Sequence, residues 1–177
     1  MEKKGIKKLK NIVITGPESS GKTTLFEQLK CLSGFHFIPE YSRKYIQNIN
    51  RSYNYNDILK IAKFHVLSYK AFSKKGLPVI LDTDLLTLLI WCEYKYKKCH
   101  PFIIDQLINN PPDLYLICST KIPWEFDPQR ENPNNRTELF NIHLKKIREL
   151  GVEFKIMEGN KLDRFSQAKK ILQNVIL

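Results

Sequence analysis

NIVITGPESSGKTTL, Asn11 to Leu25, decides the fold of the chain around it. Asn11–Thr15 is a short β-branched apolar run that closes on Gly16, as a strand buried on both faces does. From Lys22 to Leu32 the residues Leu25, Phe26, Leu29 and Leu32 recur at helical spacing. Between them Gly16-Pro17-Glu18-Ser19-Ser20-Gly21-Lys22-Thr23 satisfies the whole phosphate-loop pattern, in the strand-to-helix context that it requires. Its glycines let the backbone curl so that N–H groups and the helix start face an anion. Lys22 then reaches the β and γ oxygens of a nucleotide, and the Thr23 hydroxyl ligates Mg²⁺. Gly16, Glu18, Ser19, Ser20, Gly21, Lys22, Thr23 and Thr24 are the expected nucleotide-binding residues, with ATP and Mg²⁺ as cofactors.

Outward from this unit, strand and helix signals alternate. Phe35–Ile38 reads as a second strand, beside that of the phosphate loop, ending in "PEYSRKY", and Asp57–Phe72 as a long helix with Ile58, Ile61, Ala62, His65, Val66 and Tyr69 on one face. Gly76 and Pro78 lead into a third buried strand, "VILDTD". Helices follow at Leu85–Glu93 and Pro101–Ile108, and "NNPPD" stops the second before the strand Leu114–Ile117. "PWEFDPQRENPNNR", about residues 123–136, has three prolines and too few periodic apolar residues to pack as an element, so it reads as a mobile lid. Thr137–Leu150 is a helix ended by Gly151, Glu153–Met157 a fifth strand and Leu162–Leu177 a closing helix. The expected fold is therefore α/β: a three-layer, five-stranded parallel sheet with helices on both faces. Residues 11–177 form one domain behind a basic, solvated arm, Met1–Lys10.

Composition narrows the function. A formal charge of +11 would suit nucleic acid, but outside the arm the lysines are scattered among acids, and richness in Lys, Asn and Ile fits AT-rich coding; no nucleic-acid partner is expected. Cys31, Cys92, Cys99 and Cys118 lack metal spacing and read as reduced, mostly buried thiols. His36, His65, His100 and His143 form no zinc motif. No apolar run is long enough to span a membrane and no signal-type segment follows the start, so a cytoplasmic protein is expected.

Asp82 ends the third strand where a metal-holding carboxylate belongs, and Asp84 is either a substitute for it or a helix cap. Asn160-Lys161-Leu162-Asp163 matches the guanine-reading N-K-x-D pattern, yet Asp82-Thr83-Asp84-Leu85 lacks the glycine that senses a γ-phosphate. That loop is expected to border the donor base. A small-molecule kinase also needs an acid near the acceptor hydroxyl, a water-excluding lid, and arginines against phosphoryl charge. Glu40 and Arg43 after strand two, and Arg130 and Arg136 at the lid, fill those places. The expected catalytic residues are Lys22, Glu40, Asp82, Arg130 and Arg136. A kinase acting on a nucleoside or small alcohol and a regulatory nucleotide-hydrolysing switch both remain compatible with this set.

"TGPESSGKTTL", "PEYSRKY", "DTDLLTLLIWCEYKY" and "PWEFDPQRENPNNR", in this order and spacing, resemble the ribosylnicotinamide kinase domain found at the C-terminus of the NadR-type NAD-salvage proteins. The resemblance runs from Asn11 to the last helix. It implies ATP-dependent phosphorylation of the 5′-hydroxyl of nicotinamide riboside, giving nicotinamide mononucleotide. The adenylyltransferase and DNA-binding domains of full-length members have no counterpart in these residues, so coupled NAD synthesis and transcriptional control are not implied. A pyridinium acceptor favours aromatic faces with carboxylates nearby. Trp91, Tyr94, Tyr96 and Trp124 offer faces, with Glu93 and Glu125 adjacent, although Leu88, Leu89 and Trp91 would equally make one buried helix face. Glu40, Arg43, Asp84, Trp91 and Trp124 are the expected substrate-binding residues.

Overall fold

Five parallel strands carry the molecule: β1 (Asn11–Thr15), β2 (His36–Ile38), β3 (Val79–Asp82), β4 (Leu114–Cys118) and β5 (Glu153–Met157), in spatial order β2-β3-β1-β4-β5. The structure is a computed structural model and describes residues 9–176. Every residue of β1, β3 and β4 is buried, as continuous apolar runs must be when helices cover both faces. The edge strand β5 exposes Glu153 and Lys155.

On one face α1 (Lys22–Leu29) and α7 (Lys161–Ile176) bury Phe26, Leu29, Ala168 and Leu172 against Ile12, Ile14 and Leu116. The other face carries α2 (Tyr41–Asn48), α3 (Tyr55–Ser73), α4 (Leu85–Tyr96), α5 (Pro101–Asn109) and α6 (Arg136–Glu149) around Val13, Ile58, Leu81, Leu86 and Tyr115. The five-stranded α/β architecture read from the sequence is present.

Two local expectations are corrected. The segment after β2 is a helix, α2, which buries only Ser42 and so shows no apolar stripe. Strand β2 also does not lie beside the phosphate-loop strand. β3 separates them, with Phe37 paired to Ile80 and Ile80 to Ile12, because the α2–α3 crossover is long enough for β3 to return into the gap.

A capping box starts α3: the Asn54 side chain accepts from the Asn56 and Asp57 N–H groups, and Asp57 accepts from the Asn54 N–H. Arg51 donates twice to the same carboxylate at 2.7 and 2.8 Å and holds it well below the usual carboxylate range. Residues 123–135 form no helix or strand. All four cysteines are free; Cys31 is exposed, unlike the buried Cys92 and Cys118. Among the described residues no helix is long and apolar enough to cross a membrane. Most of the basic arm, residues 1–8, lies outside the described residues, as does Leu177.

Candidate active site at the phosphate loop

Strands β1 and β3 end side by side, with Ile14 paired to Asp82, and the phosphate loop leaves β1 at Gly16. Gly16 has φ +134°, and a Cβ there would lie 2.8 Å from the Cys118 carbonyl oxygen, so the loop closes onto β4 only with glycine. Lys22 arches back, its Nζ donating to the Pro17 carbonyl at 2.6 Å. Thr23 Oγ1 donates to Asp82 Oδ2 at 2.8 Å, while Asp82 Oδ1 is buried without a hydrogen-bond partner. Burial, helped by the nearby Glu40 charge, pushes the Asp82 carboxyl up to about 6. A hydroxyl beside a carboxylate with one unpartnered oxygen suits a hard divalent cation, which takes oxygen ligands and relieves that desolvated charge.

One residue to which the sequence assigns no role underpins the loop. Arg164 of α7 is 3% exposed and donates through Nη1 to the Ser20 carbonyl (2.5 Å), through Nη2 to Ser119 (3.0 Å) and through Nε to Gly159 (2.9 Å). It thereby ties the phosphate loop to the ends of β4 and β5. Asn160 Oδ1 accepts from the Leu162 and Asp163 N–H groups, and Asp163 Oδ2 from the Asn160 N–H. The N-K-x-D match is thus a capping box that starts α7, with both side chains engaged on their own backbone. Gly159 and Lys161 of this loop still border the cavity.

A cavity of about 460 Å³ opens from the phosphate loop. Its far walls include Glu40 and Arg43 of the β2–α2 junction, Trp91 and Tyr94 of α4, Arg130 of the lid and His143 of α6. The Ser42 hydroxyl donates to Glu40. Trp91 Nε1 donates to Tyr53 Oη at 3.0 Å, and that hydroxyl donates to Glu131 of the lid at 2.8 Å.

The segment expected to form the lid, residues 123–135, is docked on the phosphate loop itself. Glu18 Oε2 accepts from the Glu131 and Asn132 N–H groups at 3.0 and 2.9 Å. Ser19 Oγ accepts from the Glu125 N–H at 2.9 Å and from Arg130 Nη1 at 3.3 Å. Arg43 pairs with Asp127 at 2.8 Å, joining the lid to α2.

Four predicted site residues stand off the cavity wall: Asp82, buried behind Thr23, and Asp84, Arg136 and Trp124. Asp84 is buried as the cap of α4, accepting from the Leu86 N–H and, at 2.6 Å, from Tyr115 Oη; both oxygens are engaged. Arg136 spends its guanidinium on the carbonyls of Ser19, Thr120 and Ile122, bracing the root of the lid rather than facing phosphate. Trp124 lies against the Arg130 and Arg136 guanidiniums, 5.9 and 5.8 Å from its ring centre, which occupies the ring surface expected for a pyridinium. His143 belongs to no motif in the sequence. Like Arg164 it carried one sequence signal: it recurs with Leu139 and Ile147 on the buried face of its helix, where a polar residue needs a reason.

Comparison with known proteins places this geometry. The trifunctional NAD biosynthesis/regulator protein NadR of Escherichia coli (strain K12) is 27% identical over an alignment that covers 95% of this chain and 43% of that protein. The protein of the same name from Salmonella typhimurium is 25% identical, with the same coverage. The chain thus spans less than half the length of these relatives. A crystal structure of a NadR protein in complex with NR superposes with a TM-score of 0.78 at 18% identity, over 96% of this chain and 51% of that one. Thymidylate kinase from Ehrlichia chaffeensis gives 0.68 at 15% identity, over 92% and 97%. The likeness to NadR read from four motifs therefore holds across the chain, and the fold is shared with that NadR protein and with the thymidylate kinase. Residues 11–164, from the first residue of β1 to the arginine that braces the loop, match the AAA domain family, and the chain belongs to it.

Proposed function

We propose that the chain is an ATP-dependent, Mg²⁺-using kinase that phosphorylates the 5′-hydroxyl of nicotinamide riboside. One observation carries the reading: the phosphate loop shares a single cavity with an acidic and aromatic wall, and the lid is tied to both ends. Lys22 meets the donor phosphates. Thr23 and Asp82 would hold Mg²⁺, which supplies charge neutralisation there. Glu40, within electrostatic reach of Asp82, holds the acceptor hydroxyl in line and receives its proton. Arg43 and Arg130 offset phosphoryl charge as the lid, about residues 123–136, excludes water. Trp91 and Tyr94 offer faces to the pyridinium ring, with Glu131 close by. The NadR relatives and the NadR–NR complex support this acceptor. The switch reading loses its guanine reader to the capping box of α7.

The test is a panel of nucleosides incubated with ATP and Mg²⁺, products followed by mass. Nicotinamide riboside should gain one phosphoryl group faster than cytidine, uridine or thymidine. Faster turnover of one of those would overturn the acceptor, and phosphate release without acceptor would overturn the kinase.

A further inference from the structure

We propose that His143 binds the acceptor, its Nε2 accepting a hydroxyl or amide hydrogen of the nucleoside at the wall made by α4 and α6. The proposal rests on the kinase reading above and assigns to that site a residue outside the phosphate loop, lid and carboxylates. His143 is 3% exposed yet lines the cavity together with Leu139, Thr87, Ile90 and Trp91. Its Nδ1 lies 2.7 Å from the Leu139 carbonyl oxygen, which only accepts, so Nδ1 carries the proton. Nε2 is then left as a bare lone pair, and it is buried without a partner. Burial holds the ring far below its ordinary range, at about 4, so protonating Nε2 does not relieve it.

Such an acceptor works against folding, since its hydration is lost and nothing replaces it. Leu139, four residues earlier on the same face, shows that an apolar side chain suits this wall. A bound donor supplies the missing hydrogen bond, and a ligand without one leaves the nitrogen unsatisfied. This is how a site that hydrogen-bonds one group rejects analogues lacking it. In nicotinamide riboside the donors are the ribose hydroxyls and the carboxamide.

The experiment compares parent, His143→Leu and His143→Gln on whichever panel nucleoside the parent phosphorylates best, recording kcat, both KM values and Tm. His143→Leu should raise the nucleoside KM by about ten- to a hundredfold, leave the ATP KM unchanged, and keep or raise Tm by roughly 2–4 °C. His143→Gln, whose Oε1 reaches about as far as Nε2, should recover most of the loss. With nicotinamide riboside, the 2′-deoxy, 3′-deoxy and nicotinic acid analogues locate the donor: the analogue lacking it suffers no further loss in the leucine variant. A lowered Tm with both KM values changed alike would make His143 structural and overturn the proposal, as would an unchanged nucleoside KM. If the parent prefers another nucleoside, the proposed substrate falls while His143 is still tested. If it phosphorylates none, both fall.

Discussion

Replacing Glu18 by alanine removes both hydrogen bonds through which the phosphate loop holds the middle of the lid, those from the N–H groups of Glu131 and Asn132. Glu18 is half-buried and Glu131 exposed, so each bond belongs at the lower end of the usual range, about 0.5–1 kcal/mol net. Together they contribute about 1–2 kcal/mol to the docked lid, which is roughly a five- to thirtyfold change in its opening equilibrium. Amide exchange followed at single-residue resolution should accelerate by that factor at Glu131 and Asn132 in Glu18→Ala. The Glu125 amide, held by Ser19, should change less. Glu18→Gln keeps an acceptor oxygen and should give an intermediate rate. Equal exchange at Glu131 and Asn132 in parent and alanine variant would refute the idea that the loop itself holds the lid.

Lys22→Ala should retain the parental Tm within a few degrees and lose at least about 10²-fold in turnover, measured by product mass, because Lys22 meets phosphate charge and packs no core; near-parental turnover would remove its role. Asp84→Asn should leave turnover little changed, since Asp84 caps α4 off the cavity wall. The folded-state pKa of Asp84 is raised by burial to about 6, above an ordinary value of about 3.9, so its ionised form costs stability increasingly as pH climbs between those values. The Tm of Asp84→Asn relative to the parent should therefore rise between about pH 4 and pH 7, and a pH-independent difference would contradict that. Asp57→Ala breaks the α3 capping box and its Arg51 pair and should cost about 0.5–2 kcal/mol near neutral pH by denaturant titration. Asp57 has a lowered folded-state pKa, so its contribution is full above the unfolded value of about 4 and fades as pH falls below it; the parent and variant curves should converge in acid.

What the sequence discloses tracks how local the physics is. The three central strands each hold an uninterrupted apolar stretch, Ile12–Ile14, Val79–Leu81 and Leu114–Cys118, and a phosphate loop needs its glycines at fixed spacing, so both are legible without neighbours. Helix α2 escapes because its polar residues lean on α3 through Tyr41 and Tyr45, rings that the turn-like "PEYSRKY" disguises. Strand order escapes too, since the place of β3 between β2 and β1 is a long-range pairing that leaves no mark on β2. At the site, the error at Trp124 has the same origin: nothing nearby says which ring surface the docked lid covers, and Arg130 and Arg136 cover it. Arg164 and His143 look like surface residues by type, and only their period, shared with Ala168 and Leu172 or with Leu139 and Ile147, assigns them to the interior. Asn160 and Asp163 show the converse, a familiar four-residue pattern whose job is to start a helix.

The position of Arg164 also orders events during synthesis. The phosphate-loop motif is translated well before α7, yet the carbonyls of Ser20 and Ser119 find their donor only when Arg164, 144 residues after Ser20, folds over them. A nascent chain halted before α7 carries every residue of the phosphate loop and still lacks the brace that ties it to the ends of β4 and β5. The phosphate loop, written before α7, is in this sense completed only after it, and a product terminated between the two should emerge without a competent nucleotide site.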